Sequence, residues 1–160
     1  MAKSTSPKRV KMPLKLYGAK GGTGVAPWVV THFPRERYTT LLDGCMATGS
    51  IIMAHNPDGK SEVGCDLDEA VCTFWEVLRQ PELLTEFKRR LTLTPFSEAE
   101  FNKAKKKLAS LLAVPGSDEE KIEVARAVFV VSRQSLAGRW DDFAVLSTSR
   151  LRRGINEQIS

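Results

Sequence analysis

The pattern of apolar and polar positions predicts an α/β segment in the first half of the chain. Residues 38–43 form a run of tyrosine, threonine and leucine without alternation, which is typical of a buried strand. Small residues follow over 44–50, and a strong turn signal stands at 56–59. In chain order, the predicted elements are a helix over 25–33, a strand over 38–43, a helix over 51–55 and a strand over 61–67.

Beyond residue 68 the apolar residues recur at intervals of three and four, which predicts a series of helices, each with one buried face. Ser97, with Glu98 and Glu100 in the turn that follows, is typical of a helix N-cap. A proline starts one helix at 81, and Pro-Gly at 115–116 ends another. The predicted buried stripes are Val71, Phe74, Trp75 and Leu78; Leu83, Leu84, Phe87 and Leu91; and Ile122, Ala125, Val128, Phe129 and Val131.

Length and composition are those of one packed domain, with 160 residues of which 42% are hydrophobic and 27% charged. We predict a disordered basic tail over 1–12, an α/β part over 13–80, a helical segment over 81–145 and a truncated or disordered end over 146–160. The sequence has no apolar run of membrane-spanning length and no secretory signal, so we expect a cytoplasmic protein that does not enter a membrane.

Three cysteines, Cys45, Cys65 and Cys72, are an odd and widely spaced set that does not suit a disulfide framework. We expect them to be reduced, half-buried thiols. No CxxC or HxxxH pair accompanies them, so we predict no metal site.

The net charge of +5 is unevenly distributed. Basic residues cluster in the first eleven positions, within 103–107 and near the C-terminus. Such clusters suit a polyanion, or they form an ordinary solvated surface, and charge alone leaves both interpretations open. The candidates for nucleic-acid contact among them are Lys8, Arg9, Lys11 and Arg139.

Three features of the α/β part point to a nucleoside-type ligand. A glycine-rich stretch with a lysine comes first, and the first strand then ends at Asp43 in a loop whose small residues let a ligand approach the backbone. The second strand ends at Asp66, about twenty residues further on, where an acid holds ribose hydroxyls in dinucleotide-binding folds. The glycine pattern is not GxGxxG, so an ordinary strand-turn-helix packed around small residues is the alternative.

Five stretches, in order, resemble the DNA adenine methylase family. Residues 15–20 (KLYGAK) resemble its N-terminal motif, and 43–50 (DGCMATGS) its acid-Pro-Phe-x-Gly-x-Gly loop. Residues 65–68 (CDLD) are similar to its Asn-Asp-x-Asn turn, and 74–83 to its aromatic-rich helix. Residues 126–138 resemble its Arg-Ala helix and its Asn-Arg-(four residues)-Gly turn. The chain departs from the family pattern at Gly44, Cys45, Ala47 and Ser132.

The resemblance covers residues 13–143. It implies part of a Rossmann-like, S-adenosylmethionine-dependent methyltransferase sheet in an α/β fold, followed by a helical segment. It also implies S-adenosylmethionine as the cofactor and double-stranded DNA as the partner. The cofactor-binding residues that it implies are Tyr17, Lys20, Asp43, Ala47, Gly49 and Asp66.

The same resemblance assigns roles to these residues. Asp43 would face the amino group of the methionine portion, and Asp66 would take the ribose hydroxyls. Arg133 and Gly138 would stand near the start of the region that leads toward the DNA, which makes Arg133 a further candidate for nucleic-acid contact.

The family's catalytic turn, of the type Asp-Pro-Pro-Tyr, is missing. That turn holds the amino group of a flipped-out adenine for methyl transfer, whereas no two prolines are adjacent in this sequence. The turn at 56–59 (NPDG) has the wrong third and fourth residues and comes too early. We therefore predict that this polypeptide does not methylate DNA alone. A C-terminal partner chain that completes the enzyme, a frameshifted gene and a truncated relic are the alternative explanations.

Other functional interpretations remain open. Residues 20–24 (KGGTG) resemble a phosphate-binding loop of a nucleoside triphosphatase, but Val25 and Ala26 stand where the lysine and hydroxyl residue belong. A non-catalytic DNA-binding or subunit-interaction protein derived from the same fold would account for the basic clusters and the missing turn. A degenerate helical domain without a function of its own is the third alternative.

Overall fold

A computed structural model describes residues 12–21, 24–34, 38–111 and 113–144. The predicted end over 146–160 and almost all of the predicted tail lie outside these residues. The described chain is α/β, with a small sheet and six α-helices, and each predicted helix and strand is present. The elements are α1 (Val25–Thr31), β1 (Thr40–Asp43), α2 (Ser50–Ala54), β2 (Ser61–Gly64), α3 (Glu69–Arg79), α4 (Pro81–Thr92), α5 (Glu98–Ala109), α6 (Asp118–Gln134) and a 3₁₀ turn over Leu136–Gly138.

Strands β1 and β2 pair in parallel, with Leu42 opposite Val63 and Asp43 opposite Gly64. Their carboxyl ends therefore share one edge of the sheet. The prediction that β1 is a buried strand is wrong, because none of its four residues is buried and Leu42 is 65% exposed; Val63, opposite Leu42 on β2, is 47% exposed. A run of apolar residues shows that a strand is suited to burial, but other elements must supply the covering layer, and this face of the described sheet stays open to solvent.

Helix α6 is the centre of the helical segment. Its residues are buried on several sides, since α3 and α4 pack on one side of it and α5 packs on another. Phe74 of α3 and Phe87 of α4 meet edge to face, with ring centroids 5.9 Å apart. Leu14 joins the same core, so the N-terminal segment packs directly against the helices. No helix within the described ranges is long and apolar enough to cross a membrane.

Helix starts follow the local sequence. The predicted N-cap of α5 is confirmed, since the Ser97 side chain accepts a hydrogen bond from the backbone N–H of Glu100. Asp68 caps α3 in the same way through the N–H of Ala70. Ser117 and Glu120 form a reciprocal capping box at α6, which the sequence analysis did not single out.

Helices α4 and α6 are joined by an ion-pair network around Arg90. Its guanidinium contacts Glu86 on its own helix and both Glu119 and Glu123 on α6, at 2.6–2.8 Å. Hydrogen bonds from Arg89 and Arg90 lower the pKa of Glu86 to about 2, and the hydrogen bond from Arg90 lowers the pKa of Glu119. Burial opposes ionisation of Glu123, but the neighbouring arginines outweigh it and its pKa is also lowered.

The protein is expected to lose stability in acid through this network. A carboxylate whose pKa is lower in the folded state than in the unfolded state stabilises the fold above its unfolded pKa, and that stabilisation disappears as the pH falls toward the folded pKa. The loss is expected between about pH 4.5 and pH 2. Urea midpoints measured across this range should fall for the natural sequence. The Arg90→Met variant should be less stable than the natural sequence at neutral pH and nearly equal to it in acid. An equal difference at both pH values would contradict the prediction.

Candidate functional site

The loop after β1 bends tightly through two residues with positive φ. Ala47 has φ 43° and Gly49 has φ 70°, both in the left-handed region that glycine adopts without a steric cost. In the loop motif of the DNA adenine methylase family, which residues 43–50 resemble, a glycine stands at the position of Ala47. The departure therefore falls where the backbone itself favours glycine.

Trp75 of α3 closes the back of this loop. Its indole Nε1 donates a hydrogen bond to the carbonyl oxygen of Ala47 at 2.9 Å. A Cβ atom on Gly49 would lie 2.8 Å from the Trp75 ring. The tryptophan is half-buried in the core, as its place on the apolar stripe predicts, and it also sets the shape of the loop. The absence of a side chain at Gly49 is what allows this contact.

Asp66 lies at the same edge of the sheet as Asp43. One carboxylate oxygen accepts the Ala47 N–H at 2.8 Å, and the other accepts the Asp68 N–H at 3.0 Å. The backbone N–H of Cys65 donates to the carbonyl oxygen of Asp43 at 2.9 Å, which continues the strand pairing up to the two acids. Asp66 thus ties the loop after β1 to the start of α3.

The opposite wall of the site is the segment over 14–20, which is held by α6 and the turn after it. The Ser132 hydroxyl accepts the N–H of Lys15 at 2.6 Å and donates to its carbonyl oxygen at 2.9 Å. The Tyr17 N–H donates to the carbonyl oxygen of Gly138 at 2.9 Å. A Cβ atom on Gly138, which has φ 74°, would lie 3.1 Å from the Lys15 backbone. Ser132 of α6 and Gly138 of the following turn therefore hold the segment that carries Tyr17 in place.

A cavity of about 390 Å³ lies between this wall and the loop after β1. Four of the six predicted cofactor residues line it, namely Tyr17, Lys20, Asp43 and Ala47. Gly49 is buried against Trp75 and does not line it, and Asp66 reaches it only through its hydrogen bond to Ala47. The sequence analysis missed Met46, Thr48, Ser50 and Ile51 as lining residues, and their place within or beside the small-residue loop was the available signal.

A second cavity, of about 360 Å³, is lined in part by the residues that directly follow Asp66. Leu67, Asp68 and Trp140 line it together with the C-terminal end of α5. Leu67 is 98% exposed. Asp66 itself lines neither cavity, but its carboxylate accepts hydrogen bonds from Ala47, which lines the first, and from Asp68, which lines the second.

The expectation of half-buried thiols is wrong for two of the three cysteines. Cys45 and Cys65 are exposed, because both lie in the turns that leave the carboxyl edge of the small sheet. Cys72 is half-buried, and burial raises the pKa of its thiol. All three are free thiols. Among the described residues, no three histidine, cysteine or acidic side chains are placed to hold a metal ion.

The predicted nucleic-acid residues lie in different surroundings. Arg139 is exposed, with its guanidinium 5.8 Å from the centre of the Tyr17 ring. Arg133 is half-buried, and this desolvation lowers the pKa of its guanidinium, which lies 6.0 Å from the Phe129 ring centre. Lys8, Arg9 and Lys11 lie outside the described residues.

Comparison with known proteins adds no family to this geometry. No family model matches the chain, and no curated protein or solved structure is significantly similar to it. The functional argument therefore depends on the residues and cavities described above.

Proposed function

We propose that this chain is the S-adenosylmethionine-binding portion of a site-specific DNA adenine-N6 methyltransferase. The observation that supports the proposal best is the cavity at the carboxyl edge of the sheet. Tyr17, Lys20, Asp43 and Ala47, which come from separate parts of the sequence, line this one cavity. In open α/β sheets, ligands bind in the crevice outside the carboxyl ends of the strands. The pair β1 and β2 would then be the start of a Rossmann-like sheet.

The charges in the first cavity suit the methionine portion of the cofactor. That portion is a zwitterion, with an ammonium and a carboxylate group. Asp43 offers a carboxylate for the ammonium group, and Lys20 offers an ammonium for the carboxylate. Ala47, with only a methyl group, leaves room for the ligand beside the backbone.

Asp66 is proposed to hold the ribose. A carboxylate has about four lone-pair sites, of which the N–H groups of Ala47 and Asp68 use two, so acceptors remain for two hydroxyls. A ribose at Asp66 would place the methionine portion in the first cavity and the adenine in the second, against Leu67 and Trp140. The loop therefore has two roles in the proposal, as a wall of the first cavity and as the partner that orients Asp66.

The methyl transfer itself is not assigned to residues of this chain. The adenine-holding turn that the resemblance implies has no counterpart in the sequence, which contains no adjacent prolines. In this proposal the residues described here bind the cofactor, and the target adenine is held by groups outside this sequence.

The alternative of a subunit-interaction protein is favoured by a different observation. Leu42 and Val63 are paired across the strands and exposed on one face of a parallel sheet. Parallel sheets are normally covered on both faces. A chain that associates through this face and shows no cofactor binding would fit the alternative.

Binding of the cofactor is expected to protect Cys45 from alkylation. Cys45 is exposed and lines the first cavity, whereas Cys65 is exposed and lies outside its lining. S-adenosylmethionine, or its demethylated product, should slow the reaction of Cys45 with iodoacetamide at least fivefold and leave Cys65 unchanged, as followed by peptide mass spectrometry. The same ligands should raise the melting temperature.

ATP with magnesium is the control ligand for this experiment. Under the proposal it neither protects Cys45 nor raises the melting temperature. Protection by ATP with magnesium alone would point to the triphosphatase instead. If neither ligand changes the labelling or the melting temperature, the proposed function is wrong.

A further inference from the structure

Helix α5 has one buried face and one strongly basic face. Phe101 and Ala104 are buried against α6, and both are at most 2% exposed. Residues three and four apart lie on the same side of a helix. The side that faces solvent carries Lys103, Lys106 and Lys107, all exposed, and we call these three residues the lysine face.

Several other cations of the helical segment are paired with neighbouring carboxylates. Arg90 is paired with three glutamates, Arg126 with Glu100 and Glu123, and Lys121 with Glu76. Within the described ranges, no carboxylate forms an ion pair with a lysine of the lysine face, although Lys107 contributes, after the N–H groups of Gly116 and Ser117, to the lowered pKa of Glu120. Arg79 and Lys88 are also exposed and form no ion pair among the described residues, but they lie on two different helices, whereas α5 carries three such lysines on one side.

The lysine face is firmly connected to the wall of the first cavity. Lys105, on the same helix, donates a hydrogen bond to the carbonyl oxygen of Asp141 at 2.7 Å. The adjacent Trp140 donates to the carbonyl oxygen of Lys15 at 3.1 Å, and Arg139 lies over Tyr17. Three consecutive residues after α6 thus link α5 to the segment that borders the cavity.

We infer that the lysine face binds the phosphate backbone of duplex DNA. Lysine ammonium groups act as point charges that neutralise phosphates without reading base sequence. The row has no acidic residue between its members and presents a rigid helical surface, which suits a polyanion with regularly repeated charges. The choice of duplex DNA as the polyanion rests on the proposed function. The exposure of the three lysines and their lack of ion pairs do not depend on that function.

The experiment measures the affinity of the full chain for a fluorescent 24-base-pair duplex by anisotropy, over a series of salt concentrations and without cofactor. The test variant is Lys103→Glu with Lys107→Glu. The control is Arg79→Glu with Lys88→Glu, which makes the same change in net charge at exposed positions of α3 and α4. Thermal unfolding of both variants checks that the fold is kept.

The test variant is expected to bind at least tenfold more weakly at 0.1 M salt. The slope of log affinity against log salt should become shallower by about two, since each phosphate contact contributes about 0.9. The control is expected to keep the natural slope. Equal weakening of both variants, no change in either, or no binding by the natural chain would overturn the inference. If the lysine variant has a lower melting temperature but an unchanged DNA affinity, the lysines only stabilise α5 and the inference is also wrong.

The test of DNA binding by the lysine face is independent of the test of the proposed function. Calorimetry of the natural chain with S-adenosylmethionine tests the cavity without DNA. Failure of cofactor binding together with a salt slope that depends on the lysine face would remove the proposed function and leave the DNA surface. Cofactor binding together with equal salt slopes for both variants would support the proposed function and remove the DNA surface.

Discussion

Replacing Gly49 with alanine is expected to lower the free energy of unfolding by about 2–4 kcal/mol. Two physical terms add. The left-handed backbone at this position, with φ 70°, disfavours any residue that has a Cβ atom. The new methyl group would also lie 2.8 Å from the ring of Trp75, a contact that forces the ring or the loop to move. Chemical denaturation at neutral pH measures the effect.

The matched control is Gly44→Ala in the same loop. A Cβ atom on Gly44 would meet nothing within 4 Å, and its backbone is not in the positive-φ range. We expect its stability to stay within about 0.5 kcal/mol of the natural protein. If the two variants are equally stable, the packing of Trp75 against Gly49 does not determine the loop. The Gly49 variant is also expected to lose cofactor protection of Cys45, because the displaced loop forms a wall of the first cavity.

The second large effect is expected for Asp66→Ala. The variant removes the carboxylate acceptor from the partly buried N–H of Ala47 and from the exposed N–H of Asp68, which should cost about 1–2 kcal/mol of stability. Under the proposed function it also removes the ribose contact and the orientation of the loop. We therefore expect an affinity for S-adenosylmethionine at least 100-fold lower, measured by calorimetry below the melting temperature of the variant.

Asp66→Asn and Asp43→Asn separate the structural role from the binding role. Asparagine at 66 keeps one acceptor oxygen and should recover part of the stability but little of the affinity, since a neutral amide is a weaker acceptor for hydroxyls. Among the described residues, the Asp43 side chain accepts one long hydrogen bond, 3.4 Å from the N–H of Cys45, so its variant should lose affinity with little loss of stability. If the Asp66→Ala variant binds S-adenosylmethionine as tightly as the natural protein, Asp66 has a structural role only.

Much of the site could be predicted because its signals are local or follow from strand direction. Asp43 and Asp66 each come at the end of a predicted strand, and parallel strands bring their carboxyl ends to one edge of the sheet. The small residues over 44–50 indicated a loop that allows close backbone approach. The cofactor and the reaction stay predictions, since neither follows from where these residues lie.

Other features of the site depend on partners far away in the sequence. Ser132 holds Lys15 across 117 positions, and Gly138 accepts the N–H of Tyr17. The motif positions were visible in the sequence, yet they were associated with the DNA side instead of the cavity wall. No local sequence pattern predicts which distant backbone groups a buried hydroxyl such as that of Ser132 will bind.

The sequence by itself determined the order of the helices and strands and the starts of several helices, whereas the strands predicted over 38–43 and 61–67 are shorter in the structure. Caps such as Ser97, a proline at 81 and apolar stripes act over one or two turns, and the energies that decide them involve residues close together in the chain. Only the tertiary structure decided what each face meets: that Leu42 lies open to solvent, that Arg90 joins two helices, and that the segment at 14–20 closes the first cavity. Burial and long-range hydrogen bonds depend on which surfaces come together in space, and that is a property of the whole fold.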